Sequence, residues 1–331
     1  MADFKLLYVP NADAEELLDM PTALRLVKED FVVTTTEENA LYPQGRMMQL
    51  WLPRTEGHHY FFSKICGLKK QSVMGFRCAA ANSADPGRGL PESFRYILLI
   101  DLETCRPIAM IDETWSWFLR TGAEAGVAAK FLARPDSRRV GMIGAGLMAR
   151  TVLMALCEIL PIAEVFVTSR RPKSREAFST RMGRELGIQA HPVDTVAEAL
   201  DGADVVVTAT TADAPLVPAR LLEEGSLVLS MGTHQELDPE VSRRIDKVIP
   251  DDWEKCKLWG DLAAGLKSGA FMESGLYAEL GDVVSGKSAG REREEEIILA
   301  APQGMITQDI ALAHFVFERA SAQGLGRSMD L

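Results

Sequence analysis

The chain has 331 residues, of which 47% are hydrophobic and 25% are charged, with a formal net charge of −11. This length accommodates two domains, and the acidic balance argues against a nucleic-acid partner, since binding there depends on neutralising phosphates with lysine and arginine. No apolar run approaches the roughly 20 residues of a membrane helix, and the start lacks a basic leader, so we expect a cytoplasmic protein without a membrane partner. The five cysteines form no CxxC pair and the five histidines no HExxH spacing, so we expect no metal site.

The first third of the chain predicts one helix followed by strands. Residues 13–33 predict a helix that Asp19 caps and that carries Pro21 in its first turn. Four strand-like segments follow between charged or Gly/Pro-rich turns: MMQLWLP, HYFFSKI, GFRCAAA and YILLIDL. Residues 112–137 then change to a long alanine-rich helix, which Pro135 ends.

Residues 139–252 alternate short apolar strands with helical segments. This alternation is typical of a parallel sheet with crossover helices. We therefore predict an α/β fold, with a Rossmann doubly wound parallel sheet and a separate strand-rich α+β domain. We place the strand-rich domain at residues 1–118, completed by the helical segment 305–331, and the Rossmann domain at residues 119–304.

A GxGxxA turn follows the first strand of the Rossmann segment. It consists of Gly144, Ala145, Gly146, Leu147, Met148 and Ala149. The first glycine permits a tight turn, the second lets the backbone approach a pyrophosphate, and the small third position allows close packing of helix on sheet. The N-terminus of the next helix offers N–H groups to the phosphates. The turn therefore predicts a dinucleotide site.

The next strand ends in Thr168, Ser169, Arg170 and Arg171, where an acidic residue usually binds the adenosine ribose. A carboxylate repels an added 2′-phosphate, whereas arginine binds it with a charge-assisted, often bidentate fork. The Ser169 hydroxyl can add a donor. The pattern favours NADP(H) over NAD(H), with Arg170 as the stronger candidate; the alternative is that the two arginines form a solvated loop.

Several further motifs lie outside the glycine turn. They are RTGAEAGVAAKFLARPDSRRVGMIGAG (120–146), YILLIDLETCRPIAMID (96–112), ELD (236–238), ELGDVVSGKSAGR (279–291) and GMITQDIALA (304–313). With these motifs the chain resembles the ornithine cyclodeaminase/mu-crystallin family over nearly its full length. The resemblance implies a homodimer in which the strand-rich domain, joined by the last helix, binds substrate and forms the subunit interface. It also implies a substrate with an α-carboxylate.

The resemblance assigns roles to five residues. Arg120 occupies the position of the carboxylate-binding arginine of the family, and Thr121 that of a threonine that contacts phosphate at a helix N-terminus. Arg46 is similar to an arginine of the first domain, although a surface ion pair is the alternative. Arg77 stands where the family usually has lysine. Asp309 resembles an aspartate near the nicotinamide ring, with a helix N-cap as the alternative.

The loop after the fifth Rossmann strand departs from the family. Cyclodeaminases have a catalytic aspartate there, whereas the segment SMGTHQELD (230–238) has no acidic residue between Gly232 and Glu236. His234 is the titratable side chain in this gap and the candidate for proton transfer, with a merely solvated histidine as the alternative. The loops after the fourth and fifth strands are expected to border the dinucleotide through Thr208, Ala209, Thr210, Met231 and Gly232.

The sequence leaves three functions open. The leading hypothesis is an NADP(H)-dependent reductase of imino acids or ketimines, or the reverse amino-acid dehydrogenase, in which Arg46, Arg77 and Arg120 fix the substrate carboxylate and hydride is transferred at C2. The second is a deaminating cyclase of the ornithine type, which uses NAD. The third is a non-catalytic NADP-dependent ligand-binding protein of the mu-crystallin type.

Overall fold

A computed structural model of the chain describes residues 5–37, 39–42, 47–54, 57–82, 93–212 and 214–330, with only the backbone for 47–54 and 57–60. The described strands are β1 (Lys5–Val9), β2 (Ala40–Leu41), β3 (Met47–Arg54), β4 (Gly57–Leu68), β5 (Val73–Asn82), β6 (Ser93–Asp101), β7 (Pro107–Asp112), β8 (Arg139–Ile143), β9 (Glu164–Thr168), β10 (Gln189–Pro192), β11 (Val205–Thr208), β12 (Leu227–Ser230), β13 (Lys247–Pro250), β14 (Ile298–Ala301) and β15 (Arg327–Asp330). The described α-helices are α1 (Asn11–Leu17), α2 (Met20–Glu37), α3 (Thr114–Leu132), α4 (Leu147–Ile159), α5 (Pro172–Leu186), α6 (Val196–Leu200), α7 (Trp253–Cys256), α8 (Gly260–Ser268), α9 (Leu280–Val284) and α10 (Ile306–Gln323).

The chain divides into two compact units. Unit 1 consists of Met1–Leu26, Thr36–Arg120 and Ile306–Leu331, and unit 2 of Val27–Thr35 and Thr121–Met305. Residues 27–35 thus group with unit 2, whereas the sequence-based division places all of residues 1–118 in one domain. Among the described helices, none combines the length and the apolarity needed to cross a membrane.

The sheet of unit 1 contains eight of the described strands, in the order β15-β1-β7-β6-β5-β4-β2, with β3 also paired to β4. Every pair is antiparallel except β1 with β7. The four strands predicted from the sequence between residues 45 and 101 are confirmed as β3 to β6. Helix α10 packs against this sheet: a Cβ on Gly75 would lie 2.5 Å from Cγ1 of Ile310, so glycine permits the close approach.

The sheet of unit 2 contains seven described strands, all parallel, in the order β10-β9-β8-β11-β12-β14-β13. Its first five strands follow the Rossmann order 3-2-1-4-5, which confirms the predicted fold class. Strands β11 and β12 (VVVT and LVLS) are buried throughout, as expected for central parallel strands covered on both faces. The edge strand β10 was not predicted, because QAHP is short and lacks a buried apolar pattern.

Helix α2 begins as predicted. The Asp19 side chain accepts a hydrogen bond of 2.9 Å from the N–H of Thr22, and Pro21 lies in the first turn. This hydrogen bonding lowers the pKa of the Asp19 carboxyl, because it favours the ionised form.

Candidate active site

Four neighbouring strands of the parallel sheet end at the same level. Ile143 at the end of β8 lies opposite Thr168 on β9 and Thr208 on β11, and Thr208 lies opposite Ser230 on β12. In a doubly wound sheet, ligands bind outside the carboxyl ends of the strands where the strand order reverses, here between β8 and β11. This edge brings together most residues predicted to bind the cofactor: Gly144, Ala145, Gly146, Leu147, Met148, Ala149, Ser169, Arg170, Arg171, Thr208, Ala209, Thr210, Met231 and Gly232.

The two glycines of the GxGxxA turn differ in what a side chain would meet. Gly144 has a φ of +117°, and a Cβ there would lie 2.3 Å from the carbonyl oxygen of Ala209, so the approach of the two loops requires glycine. A Cβ on Gly146 would meet no described atom within 4 Å. The fold around the described atoms therefore does not require glycine at 146, and the space beside it suits the close approach of a pyrophosphate.

Helix α4 begins directly after this turn, at Leu147, and the Gly146 N-cap provides no side-chain hydrogen bond. The first N–H groups of the helix are consequently available to a ligand, at the helix end whose dipole favours negative charge. Ala149 is fully buried, whereas Leu147 is exposed. The turn thus combines a packed inner side with an open outer side that fits a dinucleotide phosphate.

The end of β9 exposes two arginines beside a third that is fixed. Arg170 and Arg171 are exposed and form no ion pair with the residues that the structure describes. Arg175 is buried; its Nη1 donates to the carbonyl oxygen of Ser169 over 2.9 Å, and its Nη2 donates to the carboxylate of Asp194. No sequence pattern indicated this role of Arg175, which holds the turn that presents the two exposed arginines.

The position of Thr121 differs from the prediction. Thr121 is the eighth residue of α3 (Thr114–Leu132), not a residue at a helix N-terminus. The helix begins at Thr114, close to the predicted residue 112, and the Asp112 carboxylate accepts a hydrogen bond of 3.0 Å from the N–H of Thr114. Thr121 is buried, and a Cβ on the next residue, Gly122, would lie 2.4 Å from the carbonyl oxygen of Thr151 in α4. Thr121 therefore lies where α3 packs tightly on α4.

Unit 1 contains a buried cluster of charged side chains, which we call the cationic cluster: Lys64, Arg77, Glu113, Arg120 and Asp309. Lys64 on β4 lies opposite Arg77 on β5, and Glu113 follows β7. Arg77 Nε donates to Glu113 Oε1 and lies 3.6 Å from Asp309 Oδ2. Arg120 Nε donates to Asp309 Oδ1 over 2.6 Å. Arg77 and Arg120 therefore form buried ion pairs, not surface ones.

Asp309 holds the centre of this cluster. It is the fourth residue of α10 (Ile306–Gln323) and lies in the first turn, so the alternative that it is an N-cap is wrong. Burial opposes its ionisation, but Arg120, Arg77 and Lys64 together hold the pKa of its carboxyl below the usual value. Asp309 is therefore an anion that pairs with buried cations.

One donor of the cationic cluster has no acceptor among the described residues. The cluster has three cations and two carboxylates, and Nη2 of Arg77, which is 1% exposed, has no hydrogen-bond partner in the described part of the chain. Burial raises the pKa of Glu113 to about 7, opposed by Arg77 and reinforced by Asp309. Because a buried charge requires a partner, the cluster is suited to bind one small anion such as a carboxylate. Lys64 and Glu113 were not identified from the sequence, since each lies in an ordinary strand or turn context.

The loop after β12 places the remaining candidates. Met231 and Gly232 are buried, and His234 is exposed. Glu236, the first residue of the motif ELD, was not a predicted site residue; it is fully buried, and its Oε1 accepts a hydrogen bond of 2.7 Å from the N–H of Thr210. Burial raises the pKa of the Glu236 carboxyl to about 7, against the hydrogen bonds from Thr210. Arg46 lies outside the described residues.

Comparisons with known proteins cover the whole chain. Alanine dehydrogenase of Archaeoglobus fulgidus is 30% identical over 328 residues, which are 97% of this chain and 97% of the relative. A structure of Thermococcus litoralis Delta(1)-pyrroline-2-carboxylate reductase in complex with NADH and L-proline has a TM-score of 0.90 and 30% identity, covering 97% of this chain and 99% of the other. An archaeal alanine dehydrogenase dimer with bound NAD has a TM-score of 0.90 and 30% identity, covering 99% and 100%.

The family to which the chain belongs is shown by its match to a family profile. The profile of the ornithine cyclodeaminase/mu-crystallin family matches residues 22–324, which includes the glycine turn, the cationic cluster and the loops that end β11 and β12. The chain belongs to the ornithine cyclodeaminase/mu-crystallin family.

Proposed function

We propose that this protein is an NADP(H)-dependent oxidoreductase that reduces the C=N bond of imino acids or ketimines, or runs the reverse oxidation of an amino acid. The observation that carries the proposal is the cationic cluster, with its buried arginines and the unpartnered Nη2 of Arg77. Two related proteins support the proposal, since one is an alanine dehydrogenase and the other is a pyrroline-2-carboxylate reductase.

The substrate class follows from the donors of the cluster. One substrate carboxylate accepts from the unpartnered Nη2 of Arg77, and Arg120 provides a second planar donor. Glu113 binds Nε of Arg77, and Asp309 binds Nε of Arg120. These bonds fix the plane of each guanidinium before the substrate binds. Arg46 is proposed as a third contact. A carboxylate held in this way fixes the adjacent C2, so orientation contributes much of the rate.

The cofactor is bound by the carboxyl edge of the parallel sheet. The α4 N-terminus and Gly146 bind the pyrophosphate, the loops at Thr208–Thr210 and Met231–Gly232 border the nicotinamide, and Arg170, Arg171 and Ser169 bind a 2′-phosphate. The nicotinamide group supplies or accepts the hydride when bound. The two related structures contain NADH and NAD, so the preference for NADP(H) rests on the exposed arginines of this chain. Thr121 and Asp309 are further proposed to act near the cofactor.

The reaction also requires a proton, which the imine nitrogen gains on reduction. We propose His234 as its source, because this exposed imidazole lies in the loop after β12 and imidazole is a side chain commonly used for proton transfer. We further propose a homodimer, which is supported by the archaeal alanine dehydrogenase dimer.

A consumption assay tests the proposal. NADPH and NADH are followed with a panel of α-keto acids and amines and with pyrroline-2-carboxylate, and ornithine is tested separately. We expect NADPH oxidation that depends on a carboxylate-bearing imine. Ornithine-dependent release of ammonia without net change in NADPH would instead establish the deaminating cyclase with NAD. Tight dinucleotide binding without turnover of any imine would establish a ligand-binding protein.

A further inference from the structure

The loops after β11 and β12 are joined at one residue, Glu236. Its side-chain Oε1 accepts a hydrogen bond of 2.7 Å from the N–H of Thr210, which lies two residues beyond β11. Its backbone oxygen accepts hydrogen bonds of 2.7 and 3.1 Å from the N–H groups of Leu216 and Val217. Glu236 therefore holds both ends of the segment that follows β11.

Glu236 is itself held from the other side. Asp261, in the first turn of α8, accepts hydrogen bonds of 2.8 and 2.7 Å from the N–H groups of Glu236 and Leu237, and one of 2.7 Å from the hydroxyl of Ser230 at the end of β12. Asp261 thus fixes both ends of the loop after β12, so the position of the Glu236 side chain is set by the sheet and by α8.

The carboxyl of Glu236 also lies against Gly232. A Cβ on Gly232 would approach Oε2 of Glu236 to 2.1 Å, so only glycine leaves room for the carboxyl to reach Thr210. Glu236 is 0% exposed, so its side chain contacts the two loops and is closed to solvent. A buried carboxyl with a hydrogen bond to the backbone is a rigid connection, because breaking it leaves a polar group unpaired.

We propose that Glu236 is a positioning residue that fixes the loop after β11 against the loop after β12 and thereby sets the affinity for the dinucleotide. The inference rests on the proposed function, because it assigns these two loops to the border of the bound cofactor. Glu236 acts through Thr210 and Gly232 and does not itself contact the cofactor. The backbone of both loops is thus arranged before the dinucleotide binds, which lowers the cost of ordering them on binding.

The experiment measures the Kd for NADPH and NADH by fluorescence titration of the full chain without substrate, for the wild type, E236A and E236Q. We expect E236A to raise both Kd values about tenfold, the size of one lost hydrogen bond to a charged acceptor. E236Q should remain within about threefold of the wild type, because its amide oxygen can still accept from Thr210. The KM for the imine should change little in either variant. The matched control is E223A, which removes a glutamate that accepts from the N–H of Gly202 at a distant turn.

A double-mutant cycle separates positioning from general damage. G232A should reproduce the weaker binding of E236A, because its Cβ displaces the carboxyl. The double variant G232A/E236A should bind no more weakly than E236A alone, since the clashing oxygen is gone. Additive losses in the double variant would overturn the inference, as would wild-type binding by E236A, equal losses in E236A and E236Q, or an equal loss in E223A. Thermal unfolding of each variant shows whether it still folds. If E236A does not fold, the Kd values of G232A and E236Q for the dinucleotides test the inference. A wild type that binds neither dinucleotide would overturn the proposed function itself.

Discussion

Arg120 Nε lies 2.6 Å from Oδ1 of Asp309, although 189 residues separate them in the chain. Both side chains are buried, and the carboxylate also lies 3.6 Å from Nε of Arg77. This ion pair connects α3 to α10 within unit 1. It also determines which edge of the Arg120 guanidinium is occupied by the protein, and hence which edge would meet the carboxylate of the proposed substrate.

Asp309→Asn should destabilise the fold. Removing a buried partner leaves Arg120 without its counter-charge, which costs about 3 kcal/mol of unfolding free energy. Urea unfolding followed by circular dichroism measures this loss. The control is Glu240→Gln, whose exposed ion pair with Arg243 should contribute nothing measurable. Equal stability of the two variants would show that the buried pair is not required.

Arg77→Lys should impair substrate binding selectively. Lysine retains the charge but lacks both the Nε that Glu113 binds and the second planar donor, Nη2. We expect the KM for the imine to rise about tenfold or more, with the Kd for NADPH unchanged, because one charge-assisted hydrogen bond contributes on the order of 1.5–3 kcal/mol. Steady-state kinetics with separate dinucleotide titrations measure both quantities. An unchanged KM would remove Arg77 from the substrate site.

Arg170→Asp should discriminate between the two dinucleotides. An aspartate at this position repels a 2′-phosphate and can accept from ribose hydroxyls, so binding of NADPH should weaken at least about tenfold while that of NADH changes little. Arg171→Asp should have the smaller effect. Arg184→Asp, at the other end of α5, gives the same change of charge at an exposed position and serves as the control. Equal losses for NADPH and NADH would contradict the 2′-phosphate assignment.

Gly146→Ala and Gly144→Ala should fail in different ways. A methyl group on Gly146 meets no described atom, so this variant should unfold at the wild-type temperature and yet bind both dinucleotides about tenfold or more weakly. Gly144→Ala places a Cβ at 2.3 Å from the carbonyl oxygen of Ala209 with a φ of +117°, so it should lower the unfolding temperature as well. Unaltered dinucleotide binding by Gly146→Ala would show that no phosphate lies against this turn.

Glu236→Gln should change how stability depends on pH. Burial raises the pKa of Glu236 from 4.5 to about 7, so the folded state binds this proton more tightly than the unfolded state. The protonated carboxyl therefore adds to the free energy of unfolding. This contribution, on the order of 3 kcal/mol, is fully present below pH 4.5 and is lost as the pH rises to about 7.

Glutamine does not titrate, so wild-type stability should fall relative to Glu236→Gln between these pH values. Urea unfolding at several pH values measures the difference. Asp261 and Glu113 titrate in both proteins and cancel in this comparison. Parallel curves would mean that Glu236 titrates in the folded state as it does in solvent.

The sequence was informative where the signal is local. The GxGxxA turn, the cap by Asp19 and the strands from residue 47 to 101 depend on neighbouring residues, and the structure confirms each as a structural element. The contacts of the cationic cluster are different. Arg77 and Glu113 are 36 residues apart, and Arg120 and Asp309 are 189 apart, so only the folded chain shows which carboxylate each arginine binds.

The burial of individual polar side chains was also hard to predict from the sequence. Glu236 lies in a polar loop segment, THQELD, whose composition predicts a solvated turn, and yet its side chain is fully buried. The reason lies in the tertiary structure. The N–H groups of Thr210, Leu216 and Val217 in the segment after β11 need acceptors. Glu236 supplies its side-chain Oε1 to the first and its backbone oxygen to the other two. Thr121 was placed at a helix N-terminus by the family resemblance alone, whereas the pattern of residues 112–137 and the observed helix α3 (Thr114–Leu132) both put it inside a helix.

The division of unit 1 between the two ends of the chain bears on how the protein is made. Nearly all of unit 2 is the continuous stretch Thr121–Met305, whereas unit 1 also needs Ile306–Leu331. On the ribosome we therefore expect the parallel sheet to fold first, since domains fold as units as they are synthesised. Arg77 and Arg120 are translated long before Asp309, so their ion pairs with this carboxylate form only after residue 309 has been synthesised. A nascent chain that stops before residue 306 can form the parallel sheet, but Arg77 and Arg120 then lack the carboxylate of Asp309.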